Sequence, residues 1–180
     1  MNKIYNISEL TPYINWLYFY HAWGLSGKPR EDKEKMKQEA LQMLASWEEK
    51  YHTHAIFRLF EVCSEGDDLI FFLPGTRFRF PMLRQQHPSA PGEPNLCLAD
   101  FIRPLSQGIR DQAGVFCASV DGTIIDEYRH DDYLNMMAQT LSDRLAEATA
   151  EKLHEEVRRD RAYWGYAPDE NLTIEQQHRE

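Results

Sequence analysis

The segment from about Asp131 to about Tyr163 carries the longest helical pattern in the chain, and it dictates what the rest must supply. Leu141, Leu145, Leu153 and Val157 fall on one face at steps of four or eight, so this helix has to bury one side against a sheet. Asp143, Glu147, Glu151 and Glu155 recur every fourth residue on a second face, offset by two positions, or roughly 200° around the axis. Acids in line repel one another by about 0.2–0.5 kcal/mol per i,i+4 pair. Arg144, Lys152, Arg158 and Arg159 flank them and offset part of that cost. The stripe is either a solvated face or, in part, the lining of a crevice that receives a cation. His130-Asp131-Asp132 reads as the start of the helix, an Asp cap followed by acids that the helix dipole favours.

The remaining elements are read from periodicity and punctuation. ISELTPYINWLYFYHAWGLSGKP is dense in aromatics. Ser8 or Thr11 serves as a helix cap there, with Pro12 in the first turn. The near-continuous Tyr, Phe and Trp from Trp16 to Trp23 predict a segment buried on most sides, ended by Gly27 and Pro29. Arg30 to Tyr51 is helical, with Met36, Ala40, Met43, Leu44 and Trp47 at three- and four-residue steps. HAIFRLFEVCS, DLIFFL and TRFRFPM, separated by EGDD and PG turns, predict an antiparallel meander. HPSAPGEPN is a loop by composition, LCLADFI a short buried element, and AGVFCASV another strand. The order αα-βββ-β-α predicts an α+β fold, a mostly antiparallel sheet with flanking helices, in one domain spanning 1–180.

Several function classes are excluded on simple grounds. The net charge of −9 disfavours a nucleic-acid partner, because phosphate binding needs a surplus of Lys and Arg. No apolar run approaches the roughly 20 residues of a membrane span. MNKIYNISEL has no apolar signal core, so the expected location is cytoplasmic. Cys63, Cys97 and Cys117 are far apart and odd in number, which fits buried small hydrophobes in a reducing compartment. There is no Gly-rich phosphate loop, GxSxG or HExxH, and no side chain stands out as catalytic. His52-x-His54 lacks nearby partners for a metal site, so no metal is expected.

A longer pattern adds to this reading. HDDYLNMMAQTLSDRLAEATAEKLHEEVRRDRAYWGYAPDENL closely resembles the activation domain of cobalamin-dependent methionine synthase. YINW, WGLSGKP, EGDDLI, MLRQQ and LCLADF agree in the same order, so the resemblance spans essentially the whole chain. It implies a crescent-shaped α+β domain that binds S-adenosylmethionine and docks over the cobalamin of a partner module. An electron from flavodoxin or an equivalent reductase and the methyl group of S-adenosylmethionine then restore methylcobalamin. By position, Glu147 matches a glutamate that contacts S-adenosylmethionine. A carboxylate suits the ammonium and sulfonium of that ligand, since charge-assisted bonds are the stronger kind. Asp143 matches an acid that faces the docked cobalamin module.

Two departures from the family pattern stand out. At YINW the family has an aspartate that also contacts S-adenosylmethionine, where this chain has Asn15. Asparagine keeps the carbonyl acceptor and loses the charge, which predicts binding weaker by roughly tenfold. The family also continues past the NLTIEQQ helix into an Arg-Pro-x-Pro-Gly-Tyr segment, and this sequence contains no such motif. Thr173 with Gln176 forms a capping-box pattern that normally introduces more helix than the few residues that follow it. The resemblance implies a reactivation component, inactive alone, of a cobalamin-dependent methyltransferase. The alternative is a docking or scaffold module for a corrinoid protein that has lost S-adenosylmethionine.

Overall fold

A computed structural model describes residues 1–161. The aromatic turn expected at Tyr163–Pro168 and the helix expected from Thr173 lie outside the described residues. Strand β1 (Asn2–Asn6) leads into the short helices α1 (Ile7–Leu10) and α2 (Trp16–Ala22), and then into α3 (Arg30–Trp47). Strands β2 (His52–Glu65), β3 (Asp68–Leu73), β4 (Thr76–Pro81) and β5 (Asp111–Val120) follow, and α4 (Ile124–Glu127) and α5 (Asp132–Arg161) complete the order. The sheet runs β1-β2-β3-β4, with β5 also paired to β2. The β2-β3 and β3-β4 pairs are antiparallel, as the alternating apolar runs and tight turns require. The fold is α+β, as expected; β1 and α4 were not anticipated from the sequence.

The chain divides into two compact units, one of Met1–Lys3 with Ala55–Cys117 and the other of Ile4–His54 with the chain from Ala118. The sequence segregates its aromatics between them. Among the described residues, every tyrosine and every tryptophan belongs to the second unit, which has a single phenylalanine, Phe19. The first unit has no tyrosine or tryptophan and holds every other phenylalanine.

In the helical unit, Leu141, Leu145, Leu153 and Val157 of α5 are all buried, which confirms the apolar stripe. They share a core with Leu10, Phe19, Leu44, Trp47 and Ile124. Asp131 caps α5, its carboxylate accepting from the Leu134 N–H at 2.9 Å. Thr149 of α5 donates to the Leu145 carbonyl at 2.7 Å, and its hydroxyl oxygen lies 2.8 Å from that of Thr53 of β2, so a buried hydroxyl pair finds its partners. Trp47 Nε1 donates to the Tyr128 hydroxyl at 2.9 Å. Two expectations fail here. Within the aromatic run Leu17 and Tyr18 are exposed, because successive residues of a helix point about 100° apart and Phe19 takes the inward position. The cap of that helix is Asn15, whereas Ser8 bonds Glu48 and Thr11 bonds back to the Ile7 carbonyl.

In the sheet unit, Glu65 pairs with Asp68 across the Gly66-Asp67 turn, and Leu73 with Thr76 across Pro74-Gly75. Gly66 and Gly75 both adopt positive φ, 62° and 74°, which these two-residue hairpins demand. Register puts Leu69, Phe71, Phe78 and Phe80 on one face, and Phe72, Arg77 and Arg79 on the other. The first face forms an open apolar groove of about 480 Å³, completed by Phe60, Met82 and Val115. On the second face the Arg110 guanidinium lies 3.8 Å from the Phe72 ring centroid. The loop after β4 is pinned by Arg84, which forks to Asp67 and Asp100 at 2.7 Å each and donates to the Asn95 carbonyl. Its guanidinium, helped by the Cys97 N–H, holds the Asp100 carboxyl down to about 2. LCLADFI is only half buried as a 3-10 turn: Cys97 and Ala99 point inward, Leu98 and Phe101 outward. Cys117 is likewise exposed, where a buried cysteine was expected, because β5 is covered on little of its length.

Candidate functional site

The candidate site lies in the helical unit, where the N-terminus of α2 meets the middle of α5. Asn15 precedes α2 in an extended conformation, and its Oδ1 accepts from the N–H groups of Leu17 and Tyr18 at 3.1 and 3.4 Å. That cap is worth about 1 kcal/mol and fixes the first turn, hence the direction of Tyr18. The Tyr18 ring, exposed to solvent, lies under the Arg144 guanidinium, with Cζ 5.7 Å from the ring centroid. Arg144 in turn forms an ion pair with Glu147 one turn on, through Nη1 and Oε2. Asn15 and Glu147, two residues expected to share a ligand, are thus linked by two side chains.

Burial gives this pair weight. The Arg144 and Glu147 side chains are 22% and 32% exposed, well below the usual exposure of charged groups. Glu147 commits Oε2 to Arg144 and has no described partner at Oε1. The remaining carboxylate oxygen is a charged acceptor, which fits the ammonium of a ligand. Asp143 stands one turn earlier on α5 and is exposed, apart from the Arg144–Glu147 pair.

The rest of the acidic stripe does other things. Glu155 is exposed, as a solvated acid should be, and it also accepts the Tyr13 phenol; this bond, with burial, pushes Tyr13 up to about 12. The sequence reading missed Glu156, a buried carboxylate that accepts from Tyr5 at 3.1 Å and pairs with Lys152 at 3.5 Å. Lys152 sits 5.5 Å from both the Tyr5 and Tyr13 rings, so its charge is shared between a carboxylate and two π faces. Arg144 was legible as an i,i+3 partner of Glu147. Tyr18 was not, because its neighbour is supplied by a helix over a hundred residues away.

The histidine pair is structural. His54 Nε2 lies 3.0 Å from Asp121 Oδ1, and the His52 N–H donates to Oδ2 at 2.9 Å. Burial pushes Asp121 upward, but the His52 N–H and the His54 ring outweigh it and leave the carboxyl below its ordinary range. Among the described residues no three His, Cys, Asp or Glu side chains are grouped to hold a metal. Among them, too, no helix is long and apolar enough to cross a membrane.

Two comparisons bear on this arrangement. The chain is similar to the crystal structure of the MetH reactivation domain bound to AdoHcy, at 32% identity and a TM-score of 0.79. The match covers 99% of this chain and 60% of that one, so this chain spans about 60% of the length of its structural relative. Residues 6–180 match the family described as vitamin B12 dependent methionine synthase, activation domain. With both the sheet-and-helix fold and nearly the whole sequence in agreement, the chain belongs to the activation domain family of vitamin B12-dependent methionine synthase.

Proposed function

We propose that this chain is the reactivation component of a cobalamin-dependent methionine synthase system and that it binds S-adenosylmethionine between α2 and α5. The observation that carries the reading is the match, over 99% of the chain, to a reactivation domain holding AdoHcy, the demethylated form of that ligand. When bound, S-adenosylmethionine supplies an electrophilic methyl group on a sulfonium. The chain's own residues bind and orient it. Glu147 offers Oε1 to the ligand's positive charge, in a partly buried setting where such a bond is stronger than in water. Asn15 sets the first turn of α2 and thereby the Tyr18 ring beside the ligand.

In this reading Asp143, exposed one turn before Glu147, faces the cobalamin-carrying module. The net reaction takes cob(II)alamin on that module, one electron and the ligand's methyl group to methylcobalamin, and releases the thioether. The electron comes from flavodoxin or an equivalent reductase. The protein contributes placement and electrostatics, and it has little turnover by itself.

Calorimetric titration of S-adenosylmethionine into the chain tests the proposal. Micromolar binding is expected, with Glu147→Gln weakening it about tenfold through loss of one charged bond. Unchanged affinity in that variant would make Glu147 a surface acid. Absence of binding together with retention of a cobalamin-carrying protein would favour the docking-module alternative.

A further inference from the structure

We infer that Arg144 and Glu147 read the α-amino-acid end of the ligand together, by exchanging their mutual ion pair for two ion pairs with the ligand. Arg144 takes the α-carboxylate and Glu147 the α-ammonium, so Arg144 is a specificity-determining residue. The inference rests on the S-adenosylmethionine-binding reading above and concerns which part of that ligand is recognised.

The argument starts from the cost of the pair. Both side chains are largely withdrawn from water, and a partly buried charge left without its partner is strongly unfavourable. A ligand carrying only positive charge would have to share Glu147 with a guanidinium already bonded to it, and would meet like-charge repulsion a few ångströms away. A zwitterionic α-amino acid removes that conflict. Its ammonium replaces the guanidinium on Glu147 while its carboxylate replaces Glu147 on the guanidinium, and no charge is stranded.

The geometry favours Arg144 for this exchange. Arginine has five N–H donors in a planar fork that matches a carboxylate two-pronged, and a single Nη1 bond to Glu147 leaves most of them uncommitted. The Tyr18 ring, 5.7 Å from the guanidinium carbon, attracts its charge without consuming a donor. Asn15 supports the same assignment. Its Oδ1 is spent on the Leu17 and Tyr18 N–H groups, so what the amide has left to offer is its NH2, a donor suited to a carboxylate and not to an ammonium. The backbone donors fix the orientation of that amide.

Calorimetry with two probes, S-adenosylmethionine and its decarboxylated analogue, decides the matter for the wild-type chain, Arg144→Gln and Arg144→Lys. The wild type is expected to favour S-adenosylmethionine over the analogue by about tenfold or more, the worth of a two-pronged charged bond. Arg144→Gln should lose about tenfold for S-adenosylmethionine and leave the analogue nearly unchanged, which erases the preference. Arg144→Lys, which keeps the charge and the fold without the fork, should fall between. If Arg144→Gln binds both probes more tightly, the arginine is only a competing cation and the inference fails. Equal weakening for both probes in Arg144→Lys makes the role merely structural and also overturns it. A wild-type chain that binds S-adenosylmethionine without preference over the analogue defeats the inference alone. One that binds neither probe defeats the ligand reading itself.

Discussion

The two compact units solve the problem of fixing aromatic side chains in opposite ways. In the helical unit the aromatics carry polar handles, and carboxylates receive them: Tyr5 on Glu156, Tyr13 on Glu155, Tyr51 on Glu127 and Tyr133 on Glu39. Each bond adds direction to an apolar contact, so the helices are held in register as well as together. In the sheet unit the aromatics are phenylalanines with nothing to donate. The directional bonds there come from arginines, Arg79 on Asp68 and Glu65 and Arg84 on Asp67 and Asp100. Phenyl rings that no hydrogen bond anchors remain partly in solvent, as the neighbouring Phe78 and Phe80 do along the apolar groove. The candidate ligand site sits in the unit with directional bonding, where a side chain's position is fixed closely enough to recognise a small molecule.

The largest test of this contrast is truncation of one ring in each unit. Trp47 is fully buried and donates to Tyr128, so Trp47→Ala should cost about 3–5 kcal/mol in a urea melt. Phe78 is more than half exposed, and Phe78→Ser should cost under about 1 kcal/mol. Similar losses at both positions would break the distinction. A smaller effect is expected at Gly114, where an added methyl would meet the Phe57 ring at 2.6 and 2.9 Å. Phe57 is buried, so the ring has little room to yield, and Gly114→Ala should cost about 1–3 kcal/mol. A neutral outcome would show that even the inner rings of the sheet unit are loosely held.

The smallest and most selective test is pH. Bonds to Glu155, Glu127 and Glu39, with burial, push Tyr13, Tyr51 and Tyr133 up to about 12, above the ordinary value near 10. The folded unit therefore holds those protons more tightly than the unfolded chain. Its extra stability is full below about pH 10 and is lost as pH rises toward 12. Asp100 has the opposite sign: held down to about 2, it contributes above about pH 4 and loses that contribution as pH falls to 2. Acid also reaches the helical unit through Asp121 and Glu127, both below their ordinary range. Alkali should loosen the helical unit alone. Equilibrium melts across both ranges, read by hydrogen exchange in each unit, check this, and a simultaneous alkaline loss in both would contradict it.

Much of this architecture was legible in local patterns. The α5 stripe, its Asp131 cap, the α3 period and the EGDD and PG hairpins depend on residues within one turn of each other, and all are found. What failed depended on distant partners. Asn15 reads in the sequence as a ligand acceptor, and its role as the cap of α2 shows only once the start of that helix is placed, while Tyr18 gains its meaning only from Arg144. Glu156 went unnoticed because nothing nearby in sequence reveals that Tyr5 lies against it. The two outward positions of the acidic stripe differ for the same reason: Tyr13 reaches Glu155, and nothing comparable reaches Asp143.

The division of aromatics by type also governs what light can report. Among the described residues, the tryptophans that emit and the tyrosines with near-ultraviolet bands all belong to the helical unit, and only the fine structure of phenylalanine comes from the sheet unit. Emission from those tryptophans therefore follows one half of the fold and is blind to the other. For ligand binding that blindness is an advantage, because Tyr18 belongs to the candidate site and Trp16 follows Asn15 directly in sequence, while the sheet unit has neither tyrosine nor tryptophan. Quenching on titration would come from the place where the ligand is expected to sit.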